Sequence, residues 1–403
     1  MRICWNMGLK SEKKSGILLL LLSLLIGLVI CETVVRLTRP ASDIFPADPA
    51  SDPILGIRLR PFQSGHDGNG FRNSTAKGYF PIICIGDSMI YGIGMPRRYA
   101  IPQQLSRLLH QRVYNMGLGS YGPVQYYQLL IDSQEMHPEK IIISLYLGND
   151  LLDAADMVNE REYWKGLKKD LSAEGQLQDI GVCPISLDKH VPQYMYQDPN
   201  TITLKLKKSG SRLWEVHSFL RLHSGLYALT YEGFMKPLIA RLFERKAWLK
   251  LPGAFHSPLV DTLFLPGVNL TSLDPQNSQV RLGLLVTKRV IELMAQLPSL
   301  KRHHDKVLIF ITPTKENVYY HYLASRKVTL PPEFGCAVYY EREISRWLQK
   351  IITANGFRFI DVFPQMEQAA NRGILLYHTT GDGHPNIAGN RVIAQALAEA
   401  LKE

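Results

Sequence analysis

Ser88 closes the run Ile82-Ile83-Cys84-Ile85-Gly86-Asp87-Ser88, and His384 stands in Gly381-Asp382-Gly383-His384-Pro385-Asn386, near the other end of the chain. A serine hydroxyl becomes a nucleophile only when a neighbouring base takes its proton. An imidazole can be that base, and a carboxylate beside it fixes the ring and stabilises the imidazolium. Ser88, His384 and Asp382 are therefore candidate nucleophile, base and orienting acid. The two motifs lie far apart along the chain, which suits groups that meet in space. No C-x-x-C or His–Cys cluster suggests a metal site, and serine chemistry of this kind needs no cofactor.

The elements that must position these groups follow from the apolar patterning. Residues 81–85 read as a buried parallel strand, and a side chain just past the C-terminal end of such a strand sits where open α/β sheets bind ligands. Strand–helix alternation continues from there. Further strands are expected at 113–116, 140–147, 306–311 and 357–361, with helices at 102–111, 124–134, 339–354 and 387–401. Between about 155 and 275 the alternation fails, although the stretch holds Trp164, Trp214 and Trp248. It is too long and too apolar for a loop and reads as a partly helical insert that covers the site. The motifs Asn73-Ser74-Thr75 and Asn269-Leu270-Thr271 match a glycosylation sequon that is common by chance.

The chain has 403 residues, 46% hydrophobic, enough for one large domain with insertions or for two. A formal charge of +10 is spread along the sequence without a nucleic-acid motif, so no nucleic-acid partner is expected. Residues 15–31 carry no charge, and with Thr33, Val34 and Val35 the stretch is long enough for a spanning helix. Arg2, Lys10, Lys13 and Lys14 precede it, which holds the N-terminus in the cytoplasm and places the rest outside. No A-x-A-like site follows, so an uncleaved anchor is preferred to a signal peptide. The expected order is a cytoplasmic tail (1–14), a transmembrane anchor (15–37), a linker and lead-in segment (38–78) and an α/β domain (79–403) in a single-pass inner-membrane protein. Cys84 reads as a core residue; Cys183 and Cys336 can pair outside the cytoplasm, but sequence leaves their distance open.

Four blocks stand in order at strand ends: Gly86-Asp87-Ser88, Asn115-Met116-Gly117-Leu118-Gly119-Ser120, Gly148-Asn149-Asp150 and Asp382-Gly383-His384. This set resembles the SGNH (GDSL-type) hydrolase family, from about residue 80 to 400 apart from the insert. The Asp-x-His spacing and Pro313-Thr314-Lys315-Glu316-Asn317-Val318-Tyr319 resemble its membrane-anchored branch of alginate O-acetylation proteins. The resemblance implies a three-layer, doubly wound parallel sheet of SGNH/flavodoxin-like type. It also implies an oxyanion hole: the side-chain amide of Asn149 and the backbone N–H groups of Ser88 and of Ser120, with Gly119 as the alternative one residue earlier. Asp87 and Asp150 are then structural, and His378 structural or in contact with substrate. The pair His303-His304 reads as solvated.

The expected activity is a serine-dependent acyl-ester hydrolase or O-acyltransferase acting outside the cytoplasmic membrane. By analogy its substrates are acetyl esters of a polysaccharide or other envelope glycan, or small acyl esters. The motifs do not separate transfer to water from transfer to a sugar hydroxyl. A third option is a lipase with the insert as lid. The reading from another class is a non-catalytic, membrane-tethered carbohydrate-binding or export-complex module. The family resembled usually has a glycine where Ser120 stands and an aspartate where Gly381 stands; these departures favour the non-catalytic reading, and the joint presence of Ser88, Asn149 and His384 opposes it.

Overall fold

The structure, a computed structural model, describes residues 5–44, 49–169, 171, 177, 179–184, 212–235, 238, 248–251 and 253–402. Five strands form one parallel sheet: β1 (Ile82–Gly86), β2 (Val113–Gly117), β3 (Lys140–Tyr146), β4 (Val307–Thr312) and β5 (Arg358–Ile360). Their order is β2-β1-β3-β4-β5. Alternate residues enter two separate cores. Ile83, Ile85, Ile141, Ile143, Val307 and Ile309 pack on one side; Ile82, Cys84, Ile142, Leu308 and Phe310 pack on the other. Apolar residues at both alternations are what a sheet covered on two faces demands.

The principal helices are α1 (Trp5–Thr38), α2 (Ser88–Tyr91), α3 (Ile101–Leu109), α4 (Pro123–Ser133), α5 (Asp150–Glu160), α6 (Arg212–His223), α7 (Gly225–Thr230), α8 (Pro266–Leu273), α9 (Ser278–Gln296), α10 (Lys315–Ser325), α11 (Pro332–Ala354), α12 (Phe363–Asn371) and α13 (Ile387–Ala400). α4, α5, α9 and most of α11 supply apolar side chains to the first core. α3, α10, α12 and α13 supply the second. Helix starts are chemically marked. Asn386 Oδ1 accepts from the backbone N–H of Ala388 and Gly389 at 2.8 and 3.1 Å, a cap worth about 1 kcal/mol. The three-layer, doubly wound sheet is thus present. Its order places a topological switch between β1 and β3, where the connections leave to opposite faces and open a crevice.

Several local details differ from the sequence reading. α11 begins at Pro332, because proline is favoured in the first helical turn and cannot continue a helix from before it. The lead-in segment holds a short antiparallel pair, Pro49–Asp52 with Gly56–Leu59; strands of four residues are too short to display an alternation. His304 is not simply solvated: its Nε2 lies 2.9 Å from the carbonyl oxygen of Ala295 and its ring meets Phe357 edge-on. Asn73 is buried, and its amide donates to Asp67 Oδ2 and to the carbonyl of Asn115, so that sequon offers no free amide in the fold. Cys183 and Cys336 form a disulfide, and Cys84 is buried.

The chain divides into two compact units, Met1–Pro46 with Ile202–Leu238, and Ala47–Thr201 with Ile239–Glu403. In the first, α1 contains an apolar stretch, Gly16–Thr38, of mean hydropathy 2.7 and length sufficient to cross a bilayer. Glu32, near its C-terminal end, accepts hydrogen bonds from the N–H groups of Gly225 and Leu226 at 2.8 Å each and from Ser224 Oγ at 3.0 Å. The carboxylate thereby caps the N-terminus of α7. In the region read as an insert, residues 185–211 and 239–247 lie outside the described residues, as do residues 1–4 with Arg2 and Cys4. The second unit carries a hairpin, Phe255–Ser257 with Thr262–Phe264, ahead of α8.

Candidate active site

β1 ends at Gly86, where the chain turns directly into α2. Asp87 is the N-cap: its Oδ1 accepts from the Met89 N–H at 2.8 Å. Ser88 therefore occupies the first position of a helix at the C-terminal edge of the sheet. Glycine is required at the end of β1 and opposite it at the end of β2. A Cβ on Gly86 would lie 2.4 Å from Ile90 Cγ1, and one on Gly117 would lie 2.4 Å from the Tyr91 nitrogen. Burial disfavours the charged form of Asp87 and raises its pKa.

The fold brings Ser88, His384 and Asp382 together. His384 Nε2 lies 2.7 Å from Ser88 Oγ, and His384 Nδ1 lies 2.5 Å from Asp382 Oδ1. The same Asp382 oxygen accepts the His384 backbone N–H at 2.9 Å, so one carboxylate fixes both the loop and the ring. Burial opposes charge on both groups. For Asp382 the imidazole's charge and hydrogen bonds overcome it and hold the carboxyl well below the usual carboxylate range. For His384 the Asp382 carboxylate overcomes it and raises the imidazole above its ordinary value. An imidazole so placed can take the Ser88 proton.

Of the oxyanion candidates, Gly119 has a described approach to Ser88. A Cβ built on Gly119 would lie 3.8 Å from Ser88 Cβ, so the β2–α4 loop passes beside this serine. Ser120 has φ 67°, the left-handed region that a glycine adopts without steric cost. Among the described residues, nothing accepts from the backbone N–H of Ser88, Gly119 or Ser120. Asn149 is the N-cap residue of α5, but its side chain turns to Asp153, donating from Nδ2 to Oδ2 at 2.7 Å. Its Oδ1 is buried without a partner. One amide hydrogen remains for a ligand. Asp153 is half-buried, and its desolvation raises its carboxyl to about 7, with the nearby Asp87 adding to the effect. Asp150 accepts from the Tyr146 N–H and from the Tyr126 hydroxyl, both at 2.9 Å, and is structural.

Three residues matter here that the motifs did not single out. Lys315 is buried, and its Nζ donates to the carbonyls of Thr380 and Asp382 at 3.1 Å each, pinning the loop that carries the candidate base. Burial lowers its pKa, and Glu316 and Asp382 act in the opposite sense. Asp153 orients Asn149. Tyr146 presses against Gly383: a Cβ there would lie 2.6 Å from the phenolic oxygen. Lys315 follows β4 and Asp153 lies on α5, and a buried lysine at a helix start carries no sequence mark until its partners are known. His378 sits beside Gly94, where a Cβ would lie 3.3 Å from its Nε2, and that nitrogen is buried without a partner.

No family model matches the sequence, and no curated protein does. A solved structure of a G-D-S-L family lipolytic protein from Desulfitobacterium hafniense DCB-2 aligns over 79% of this chain and 97% of its own, with 11% identity and a TM-score of 0.35. That superposition is loose, and the reading of the site rests on its own geometry.

Proposed function

We propose that the chain is an SGNH-type serine esterase or O-acyltransferase with Ser88 as nucleophile, His384 as base and Asp382 as its orienting acid. The observation that carries this is the continuous relay from Ser88 Oγ through His384 to Asp382. In the reaction, Ser88 Oγ attacks the ester carbonyl carbon while His384 Nε2 takes its proton. The carbonyl oxygen becomes an oxyanion facing the N–H groups of Ser88 and Ser120 or Gly119 and the Asn149 amide. Collapse breaks the bond to the leaving alcohol, which receives the proton from His384. The acyl-enzyme then passes its acyl group to water or to a sugar hydroxyl, with His384 again taking and returning the proton.

We place this chemistry outside the cytoplasmic membrane, on acetyl esters of a polysaccharide or other envelope glycan. Two observations support the compartment. A Cys183–Cys336 disulfide belongs to an oxidising environment. Glu32 caps α7, so a cleavage that removed α1 would strip that helix of its cap; this favours a retained anchor over a cleaved signal.

The test is hydrolysis of p-nitrophenyl acetate by the full chain in neutral detergent. Ser88→Ala and His384→Ala should each lower kcat by at least about 10³-fold, and Asn149→Ala by about 10²-fold, with unchanged circular dichroism. A wild type no faster than Ser88→Ala on this and several other esters would overturn the assignment. Added polysaccharide acceptors then separate hydrolysis from transfer.

A further inference from the structure

Arginines at 97, 98, 107 and 112 crowd the segment from α2 to β2 and line one cavity of about 340 Å³ at the β2 edge of the sheet. The volume lies at the lower end of the range for small-ligand sites, roughly 300–1,000 Å³. No Asp or Glu lines it, and neither do Ser88, Asp382 or His384. The guanidinium groups of Arg98, Arg107 and Arg112 are ordered by aromatic rings and carbonyls. Arg112 donates to the carbonyls of Tyr79 and Lys77 at 3.2 and 2.9 Å and lies 4.0 Å over the Phe80 ring. Arg98 and Arg107 stand 4.7 and 6.0 Å over the ring of Tyr99. Among the described residues, Arg98, Arg107 and Arg112 have no carboxylate partner.

Like charges gathered round one hollow repel, and the repulsion is relieved when an anion enters. The remaining lining is polar in a particular way. Ser74 and Thr75 present hydroxyls, and Gln103 Oε1 is buried with no hydrogen-bond donor. A buried acceptor left unmatched costs free energy that a ligand hydroxyl can recover. A fully ionised inorganic anion such as sulfate has no hydroxyl to donate to Gln103, whereas a sugar bearing an oxyanionic group brings both the charge and several ring hydroxyls to the two halves of the cavity.

We propose that this cavity binds an acidic sugar unit, its carboxylate held by Arg98, Arg107 and Arg112 and a ring hydroxyl donating to Gln103 Oε1. The site is separate from Ser88, and its occupancy does not depend on the proposed chemistry there. The experiment is isothermal titration of the full chain in neutral detergent, in a Ser88→Ala background that prevents turnover. The probes are a tetrasaccharide containing glucuronate, the same oligosaccharide with its carboxyls reduced, inorganic phosphate, and vesicles of anionic lipid. The acidic oligosaccharide should bind at least about tenfold more tightly than the reduced one, and increasingly weakly as salt rises. R98Q and R107Q, at exposed positions, should each weaken it about tenfold with the melting temperature unchanged, and Q103L should weaken it as well. Equal affinity for the reduced oligosaccharide, or indifference to R98Q and R107Q, overturns the proposal. So does phosphate or vesicle binding that R98Q abolishes while the oligosaccharide fails to bind. Because catalysis is absent from the assay, failure of the serine mechanism leaves this result untouched.

Discussion

Replacing Gly383 by alanine tests whether the loop position of His384 sets the rate. A Cβ at residue 383 would lie 2.6 Å from the Tyr146 hydroxyl oxygen, about 0.8 Å inside ordinary contact at 3.4 Å. The ring packs closely over Gly148, where an added Cβ would lie 2.4 Å from it, which limits its withdrawal in that direction. The strain therefore falls on the loop that holds Asp382 and His384. Moving His384 by a distance of this size breaks a 2.7 Å contact with Ser88 Oγ. Misplacement on the order of 1 Å costs about 10²-fold in rate. Gly383→Ala should thus lower kcat on p-nitrophenyl acetate by about 10²-fold while KM changes little. Removing the hydroxyl relieves the clash, since the next ring atom, Tyr146 Cζ, is 3.8 Å from the built Cβ. The double variant Gly383→Ala/Tyr146→Phe should recover most of the rate, with Tyr146→Phe alone as its reference in a double-mutant cycle. A Gly383→Ala variant with the wild-type kcat, or a loss that Tyr146→Phe does not relieve in a folded protein, refutes the reasoning.

Two further outcomes follow from the electrostatics and the covalent framework. The base acts as neutral imidazole, and Asp382 raises the His384 pKa despite burial, so the acid limb of kcat/KM should lie above the ordinary histidine value of about 6.5. Asp382→Asn removes the raising charge and should move that limb to lower pH while cutting kcat by about 10⁴-fold; a limb that stays in place would show that another group titrates. Cys336→Ala opens a disulfide that joins residues 153 apart, and thermal unfolding should show a loss on the order of 3 kcal/mol. An unchanged melting temperature under oxidising conditions would mean that the bridge does not constrain the fold.

The strands were legible because their residues obey one simple rule. Ile82 through Ile85, Ile141 through Ile143 and Val307 through Ile311 are apolar at both alternations, and only a sheet covered on two faces satisfies that. Ser88 and His384 were legible as candidates because they stand just past a strand end and in a short turn motif whose residue types are restricted. α9 escaped the pattern because it follows the region where alternation fails, although its apolar face is as regular as that of α11. The lead-in hairpin escaped because four-residue strands show no period.

The sequence by itself marked the candidates for chemistry and an apolar stretch long enough for a bilayer: Ser88 past an apolar run, and His384 two positions after Asp382. Only the tertiary structure decided how they stand. It joined Cys183 to Cys336 and turned the Asn149 amide toward Asp153. It set Lys315 under the loop of His384, and it assigned the glycine of Asp-Gly-His to the space that Tyr146 occupies. The physical reason is range. Strand pattern and motif identity are written in neighbouring residues, whereas a hydrogen bond across hundreds of residues, a steric limit on one Cβ or the pKa of a buried acid depends on what the rest of the chain brings alongside.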